Sequence, residues 1–189
     1  MNKRELTEKY KFLQRKSYSP PDYHEGDSWL DDMPNGWFIA FGEMLVEELA
    51  EAIKADGLQD DYHIIQIKEK FGELRWYDNG GKHVSDVIDK YSLLSQNICI
   101  ACGQPDVGAP KGGWILPLCF NCWSGISNIP AQDKLEKMTT YRKSIFGNEC
   151  MENTLEYRTF TEDGVSLKTS VDISETANAI RKRWSSLEV

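Results

Sequence analysis

The sequence contains no run of about eighteen apolar residues, so no membrane-spanning helix is expected. Its first segment, MNKRELTEKYKFLQRK, is charged and lacks the apolar core of a secretory signal, which predicts a cytoplasmic protein. No internal repeat and no low-complexity tract is present, which argues against a solenoid or a disordered array. The 189 residues, 40 % of them hydrophobic, therefore predict one folded domain, or one domain with a small module.

Histidine is scarce, and the histidines that are present form no catalytic pattern. His24, His63 and His83 all precede the cysteine-rich stretch, and none begins the His-x-Glu pair that zinc deaminases require. Gly80-Gly81-Lys82 lacks the rest of a phosphate-binding loop, and Cys150 has no base beside it in sequence. A substrate pocket lined by carboxylates is the enzymatic alternative, but no spacing points to one. The sequence therefore predicts a protein that is not an enzyme.

Four of the five cysteines form two Cys-x-x-Cys pairs separated by sixteen residues: Cys99, Cys102, Cys119 and Cys122. Cytosolic thiols stay reduced, so such pairs indicate metal ligands rather than disulfides. Each pair can place two sulfurs on one side of a tight turn, and two such turns complete a tetrahedral zinc shell. We expect Gly103 to let the backbone turn so that its amides donate to thiolate sulfur. Because four thiolates leave no position for water, the predicted Zn²⁺ is structural.

The segment between the two pairs favours a zinc finger. Residues 110–113, PKGG, predict a turn, and residues 114–118, WILPL, predict a strand that leads into the second pair. The second pair, CFNCW, is typical of the start of a short helix. A zinc knuckle at the first cysteine pair, a hairpin after it and a second cysteine pair at the start of a helix together resemble a treble-clef or zinc-ribbon arrangement.

The rest of the chain predicts an α+β fold, with helices packed on short antiparallel hairpins and an embedded zinc finger that has four cysteine ligands. We expect helices over 3–16, 37–55, 84–98 and 132–146 and from about 174 onward, and strands over 62–68, 73–77 and parts of 154–173. The predicted parts are an N-terminal helix and acidic loop (1–35), an α-β-β-α body (36–98), the finger (99–130) and a helix, hairpin and final helix (131–189).

Negative charge is concentrated in one part of the chain. The net charge is −8, yet residues 17–61 alone carry −11, whereas residues 1–16 carry +4. One interpretation is a solvated face that keeps the protein soluble. The other is a surface that repels nucleic acid and binds a basic protein partner. For that second interpretation, the candidate partner-binding residues are Asp27, Trp29, Asp31, Asp32, Glu43, Glu47, Glu48 and Glu51, with Trp37 as a further possible anchor.

The predicted hairpin around residue 72 supports an alternative function. Lys68, Lys70, Arg75, Trp76 and Tyr77 mix cations with aromatic rings, a combination that holds phosphates and stacks bases. Two glutamates lie among them and the preceding helix is acidic, which argues against nucleic-acid binding. A nucleic-acid-binding zinc-finger regulator is therefore the alternative to a protein-binding module.

The motifs IKEKFGELRWY and CIACG…GGWILPLCFNC resemble a set of small bacterial and phage proteins with a K-E-K-F-G-x-L-R-x-Y hairpin followed by a C-x2-C-G finger. The resemblance covers residues 36–123. It implies a zinc site and a bacterial or phage source, and it supplies no catalytic residues, because that family has no assigned activity. Small acidic proteins in that setting are often inhibitors, immunity proteins or adaptors, which predicts an inhibitor or an immunity or counter-defence protein.

Overall fold

The computed structural model describes residues 1–15, 27–107, 116–126, 159–161, 164–166 and 173–187. It confirms an α+β fold with helices and antiparallel hairpins. The helices are α1 (Lys3–Lys9), α2 (Asn35–Trp37), α3 (Glu43–Ala55), α4 (Lys82–Ser95), α5 (Phe120–Ile126) and α6 (Ser174–Leu187), and the strands are β1 (Ile64–Lys70), β2 (Glu73–Asp78), β3 (Thr159–Thr161) and β4 (Gly164–Ser166). Within the described ranges, no helix has the length and hydropathy needed to cross a membrane.

The first helix is shorter than predicted. Helix α1 ends at Lys9, Tyr10 adopts an extended conformation with φ −116°, and a 3-10 turn follows over Lys11–Leu13. The break lets the rings of Tyr10 and Phe12 approach to 5.9 Å, a contact that residues two apart do not make on a continuous helix. Leu13 is nevertheless fully buried, so the predicted apolar position still reaches the core.

The central helix forms as predicted but contains an irregular turn. Helices α2 and α3 are joined by a π-helical turn over Phe38–Gly42, and the chain then runs on to Ala55. The apolar stripe of this helix faces the main core, where Phe41, Leu45, Leu49 and Ile53 are buried. Gly57 follows with a positive φ of 71°, the conformation expected for a helix C-terminal stop.

Strands β1 and β2 form the predicted hairpin, and helix α4 covers one of its edges. The Ser95 hydroxyl accepts a hydrogen bond from Leu74 N–H at 2.8 Å, and Ser92 Oγ lies 2.7 Å from the Leu74 carbonyl oxygen. Both serines are buried. The polar residues that interrupt the apolar pattern of α4 therefore satisfy backbone groups on the outer edge of β2, and the helix ends at Ser95.

A side chain from the end of α3 caps the start of α4. Gly81 precedes α4 and offers no side chain for capping. The Asp56 carboxylate instead accepts hydrogen bonds from Val84 N–H at 3.0 Å and from His83 N–H at 3.2 Å. It also lies 2.7 Å from His83 Nδ1. Hydrogen bonding to Val84 is the main reason that the pKa of Asp56 lies below its ordinary value.

The C-terminal helix α6 packs on the body through Ala177 and Ile180 and through Ile173, which directly precedes the helix, whereas Trp184 is only half-buried. The helix begins at Ser174, where the sequence predicts its start. Strands β3 and β4 pair in antiparallel fashion, with Thr161 opposite Gly164, within the range 154–173 where strands are predicted. The predicted helix over 132–146 lies outside the described residues, as do His24 and Cys150.

Candidate metal centre

The two cysteine pairs are held in two different backbone structures. In the first pair, Cys99 N–H donates to the Gln104 carbonyl at 2.8 Å, and Gly103 adopts the predicted positive φ, at +90°. The Gly103 amide itself donates to the Cys99 carbonyl, whereas the backbone amides of Ala101 and Cys102 in the same turn donate to the Cys99 sulfur, as expected. In the second pair, Cys119 precedes α5, and Cys122 N–H donates to Cys119 Sγ at 3.4 Å. The second pair therefore begins a helix, as predicted.

The four cysteine ligand atoms all lie within 4.8 Å of one another. The Sγ atoms of Cys102 and Cys119 are 3.7 Å apart. A zinc–sulfur distance of about 2.3 Å implies an edge of about 3.8 Å between sulfurs of a regular tetrahedron, so this pair already has the required spacing. None of the four is in a disulfide. The cluster is therefore close enough to hold a metal ion, with Cys99 and Cys119 buried and the other two partly exposed.

The electrostatics of the cluster favour a cation at its centre. A hydrogen bond from Cys119 lowers the pKa of Cys99 to about 4, and the same contact raises the pKa of Cys119. Burial, together with repulsion from Cys99, raises the pKa of Cys122 to about 12. One thiolate therefore opposes ionisation of its neighbours, and a divalent cation would remove that opposition.

The first cysteine pair is attached directly to the body of the protein. Gly36 N–H donates to the Ile100 carbonyl at 3.0 Å, and Trp37 Nε1–H donates to the Ile98 carbonyl at 3.0 Å. A Cβ added at Gly36 would lie 2.2 Å from the Cys99 carbonyl oxygen, so only glycine permits this approach. Sequence reasoning missed Gly36, because nothing local distinguishes it from a loop glycine. It also offered Trp37 as a partner anchor, whereas this side chain is fully buried.

Two further contacts secure the cysteine pairs. Ile100 N–H donates to the Pro117 carbonyl at 2.9 Å, which ties the first pair to the approach of the second. From helix α6, the Arg181 guanidinium binds the Asp106 carboxylate at distances from 2.6 to 3.1 Å. Residues 116–118 lie outside regular strands, and the rest of the predicted turn and strand over 110–118 lies outside the described residues.

The predicted partner-binding residues near the N-terminus are engaged within the protein. Buried Arg15 pairs with the Asp32 carboxylate at 2.5 Å, and its guanidinium stacks 4.4 Å from the Trp29 ring centroid. The Asp27 carbonyl accepts a hydrogen bond from the Arg15 backbone at 2.9 Å. Asp31 is exposed, although its carboxylate also accepts a backbone hydrogen bond at the start of its own 3-10 turn. Trp29 and Asp32 therefore hold a buried cation.

Two of the glutamates on α3 are also engaged. Glu43 accepts a hydrogen bond from the N-terminal ammonium of Met1 at 3.0 Å and pairs with Arg183 at 3.3 Å. The hydrogen bond from the N-terminus is the main reason that the pKa of Glu43 is lowered. Glu48 pairs with the half-buried Lys90 of α4. Both glutamates therefore join separate elements of the fold.

The other two glutamates on α3 face solvent. Glu47 pairs with Lys9 at 3.4 Å, and both side chains are 49 % exposed. Glu51 is 75 % exposed and pairs with Lys54, its neighbour on the same helix, at 2.7 Å. Positions four apart lie on one helix face, so Glu47 and Glu51 present their carboxylates side by side.

Comparison of the chain with models of known protein families, with curated proteins and with solved structures found no match. The site must therefore be interpreted from its own geometry.

Proposed function

We propose that this protein is a non-enzymatic, zinc-stabilised interaction module that binds a basic protein partner through an acidic surface. The cysteine cluster supports the zinc assignment, because four cysteine sulfurs within 4.8 Å of one another match the donor set of structural zinc sites. Zinc bound by these cysteines would connect the two pairs, and it would add its binding free energy to the stability of the fold. The resemblance described above supports a bacterial or phage inhibitor, immunity or counter-defence protein.

The observation that carries the proposed partner surface is the exposed pair of carboxylates on α3, Glu47 and Glu51, together with the exposed carboxylate of Asp31. The cationic partners of Glu47 and Glu51 within this chain are themselves exposed, and such surface ion pairs contribute only about 0–1 kcal/mol each. A basic partner can therefore replace Lys9 and Lys54 at little cost. The other carboxylates are less available to a partner, because they bind cations of this chain in less exposed positions: Asp32, Glu43 and Glu48.

The test is affinity capture of partners from a bacterial lysate with the wild-type protein and with a double charge reversal, Glu47→Lys with Glu51→Lys. A matched control reverses Glu8, which is exposed and lies on α1, and Glu175, which is exposed and lies on α6. The proposal expects a basic protein that is bound by the wild type and by the control and is lost with the double reversal. Isothermal titration with the purified partner then measures the loss.

Equal binding by the wild type and by the double reversal would refute the acidic-surface proposal. Folding of each variant is checked by its melting temperature, so that a lost partner is not confused with a lost fold. The zinc assignment is tested separately, by measuring metal content and by competition with a chromophoric chelator. A Zn²⁺ stoichiometry well below one per chain, after purification without chelators, would contradict it.

A further inference from the structure

The turn between β1 and β2 carries an exposed aromatic residue in an unfavourable backbone conformation. Phe71 and Gly72 form the two-residue connection, with φ of +57° and +78°. This geometry favours Asn-Gly, and a bulky non-glycine residue with positive φ is a rare outlier. The Phe71 side chain is also 70 % exposed, so it contributes little to the core. Folding therefore explains neither the choice of phenylalanine nor its position.

The turn is fixed in place. Glu69 Oε1 accepts a hydrogen bond from Gly72 N–H at 2.7 Å, and Lys70 pairs with Glu73 in the last rung of the ladder before the turn. The Phe71 ring is consequently presented on a rigid support, with the Lys70 ammonium 5.3 Å from its centroid. A preorganised exposed ring of this kind is a typical anchor for a ligand.

The outer face of the same hairpin continues this pattern of cations and rings. Leu74 and Trp76 point into the core, whereas Arg75 and Tyr77 lie on the opposite face of β2. Lys68 is directly opposite Arg75 in the ladder, and like charges in that position are destabilising. The Lys68 ammonium lies 5.2 Å from the Tyr77 ring centroid, which makes a second cation–ring pair.

Arg75 is only partly neutralised within the protein. Its Nη2 pairs with Glu73 at 2.8 Å, while its Nε is buried and has no hydrogen-bond partner among the described residues. Three cations thus lie on one face of a hairpin, in a protein whose net charge is −8. Neither solubility nor hairpin stability requires this local concentration of positive charge.

We infer that this hairpin face, formed by Lys68, Lys70, Phe71, Arg75 and Tyr77, binds single-stranded nucleic acid. Bases stack on the exposed rings, and the three cations bind phosphates. From Tyr77 to Phe71 the chain advances six residues, or about 20 Å at about 3.3 Å per residue, which allows several nucleotides to bind along the face. An acidic polypeptide would neutralise the cations but leave the rings uncovered, and duplex DNA hides its bases from stacking. This site is separate from the proposed partner surface on α3.

The experiment measures the fluorescence anisotropy of a labelled oligonucleotide of about twelve nucleotides, within the site sizes typical of single-strand binders. Single-stranded DNA, single-stranded RNA and the duplex are compared at about 50 mM salt, where phosphate contacts are strong. The wild type is expected to bind the single strands in preference to the duplex. With three phosphate contacts, the logarithm of affinity should fall with the logarithm of salt with a slope of about −2.

The decisive variant is Phe71→Asn. Asparagine suits this turn better than phenylalanine, so the melting temperature should stay the same or rise. Loss of one stacking ring should nevertheless weaken binding by about 5-fold or more. Lys68→Gln combined with Lys70→Gln should weaken binding and make the salt slope shallower by about 1.4. A control with the same charge change, Arg4→Gln with Lys54→Gln, should bind as the wild type does, because both side chains are exposed and lie on other elements.

Three results would overturn this inference. The first is the absence of single-strand binding at low salt. The second is equal affinity of the wild type and Phe71→Asn, or a loss of affinity in the charge-matched control as large as that in Lys68→Gln with Lys70→Gln. Either result would show that the binding site is not on the hairpin face. The third is selective binding of a labelled glutamate-rich peptide in place of the oligonucleotide, which would assign the face to an acidic protein instead.

Discussion

Gly36→Ala tests whether the metal centre and the helical body form one cooperative unit. An added Cβ would lie 2.2 Å from the Cys99 carbonyl oxygen and 2.6 Å from both the carbon and the oxygen of the Ile100 carbonyl. These neighbours are backbone atoms and cannot rotate away. The first cysteine pair must therefore move off the start of α2, which also lengthens the hydrogen bond from Gly36 N–H to Ile100.

The magnitude follows from three contributions. Overpacking typically costs about 1–3 kcal/mol. A weakened hydrogen bond adds about 0.5–1.5 kcal/mol. The better helix propensity of alanine returns up to about 1 kcal/mol. If zinc binds as proposed, this leaves a net loss of about 2 kcal/mol in the unfolding free energy of the zinc-bound protein. If the metal-free protein relieves the clash by releasing the cysteine pair, the same loss appears as zinc affinity weakened about thirty-fold.

The assay combines chemical denaturation at a fixed free zinc concentration with chelator competition for zinc. Gly57→Ala serves as the control, because Gly57 has a positive φ of 71° and no atom within 4 Å of an added Cβ. That variant should lose about 1 kcal/mol of stability through backbone strain and keep its zinc affinity. Coupling between the cysteine cluster and the helical body would be refuted if Gly36→Ala changed neither the free energy of zinc binding nor the free energy of unfolding by more than about 0.5 kcal/mol.

Three further predictions concern the metal, a buried hydroxyl and pH. A strong chelator, or Cys119→Ser, should lower the melting temperature and loosen the protein, because a metal ion bound by the four cysteines would hold two segments together. Ser95→Ala should reduce the unfolding free energy by about 1–3 kcal/mol, because Leu74 N–H loses its acceptor in a buried position. The lowered pKa of Asp56 contributes stability that is present above its ordinary value of 3.8 and is lost as the pH falls through the folded-state value. Asp56→Ala should therefore flatten the loss of melting temperature as the pH falls below about 4.

Each of these predictions has a contrary outcome. A metal-free protein with an unchanged melting temperature would show that the cysteine cluster does not stabilise the fold. A denaturation midpoint for Ser95→Ala equal to that of Ser85→Ala, which alters a more exposed serine of the same helix, would show that the buried hydroxyl contributes little. For Asp56, the control is Asp60→Ala, which changes an exposed carboxylate. Identical pH profiles for the two aspartate variants would contradict the capping role.

The charge pattern shows why linear sequence misleads about surfaces. The segment 1–16 carries +4 and the segment 17–61 carries −11, which indicates two opposite patches. In three dimensions, the N-terminal ammonium, Lys9 and Arg15 bind carboxylates of the acidic segment. Much of the apparent acidic surface is therefore internal pairing. Sequence order gives the charge of a segment, but only packing shows which opposite charge lies against it.

Element types could be predicted more reliably than element ends. Apolar periodicity identified the central helix and the β1–β2 hairpin, because burial of one face requires that pattern. The end of α1 could not be predicted, because a ring contact across Tyr10 competes with continued helix. The π-helical turn at Phe38–Gly42 was equally unpredictable. Its Gly42 lets the Phe38 ring approach, and Arg183 from the far end of the chain donates to the Ile39 carbonyl at 3.1 Å.

By itself, the sequence determined the donor set of the candidate metal centre and the α+β fold class. Cysteine spacing fixes which sulfurs can share an ion, and residue periodicity fixes which faces must be buried. Only the tertiary structure decided which carboxylates remain exposed, that Gly36 packs against the backbone of the first cysteine pair and that the Phe71 side chain is exposed on a rigid turn. These properties depend on contacts between residues far apart in the chain or on burial by neighbouring elements, and the local sequence predicts neither of these.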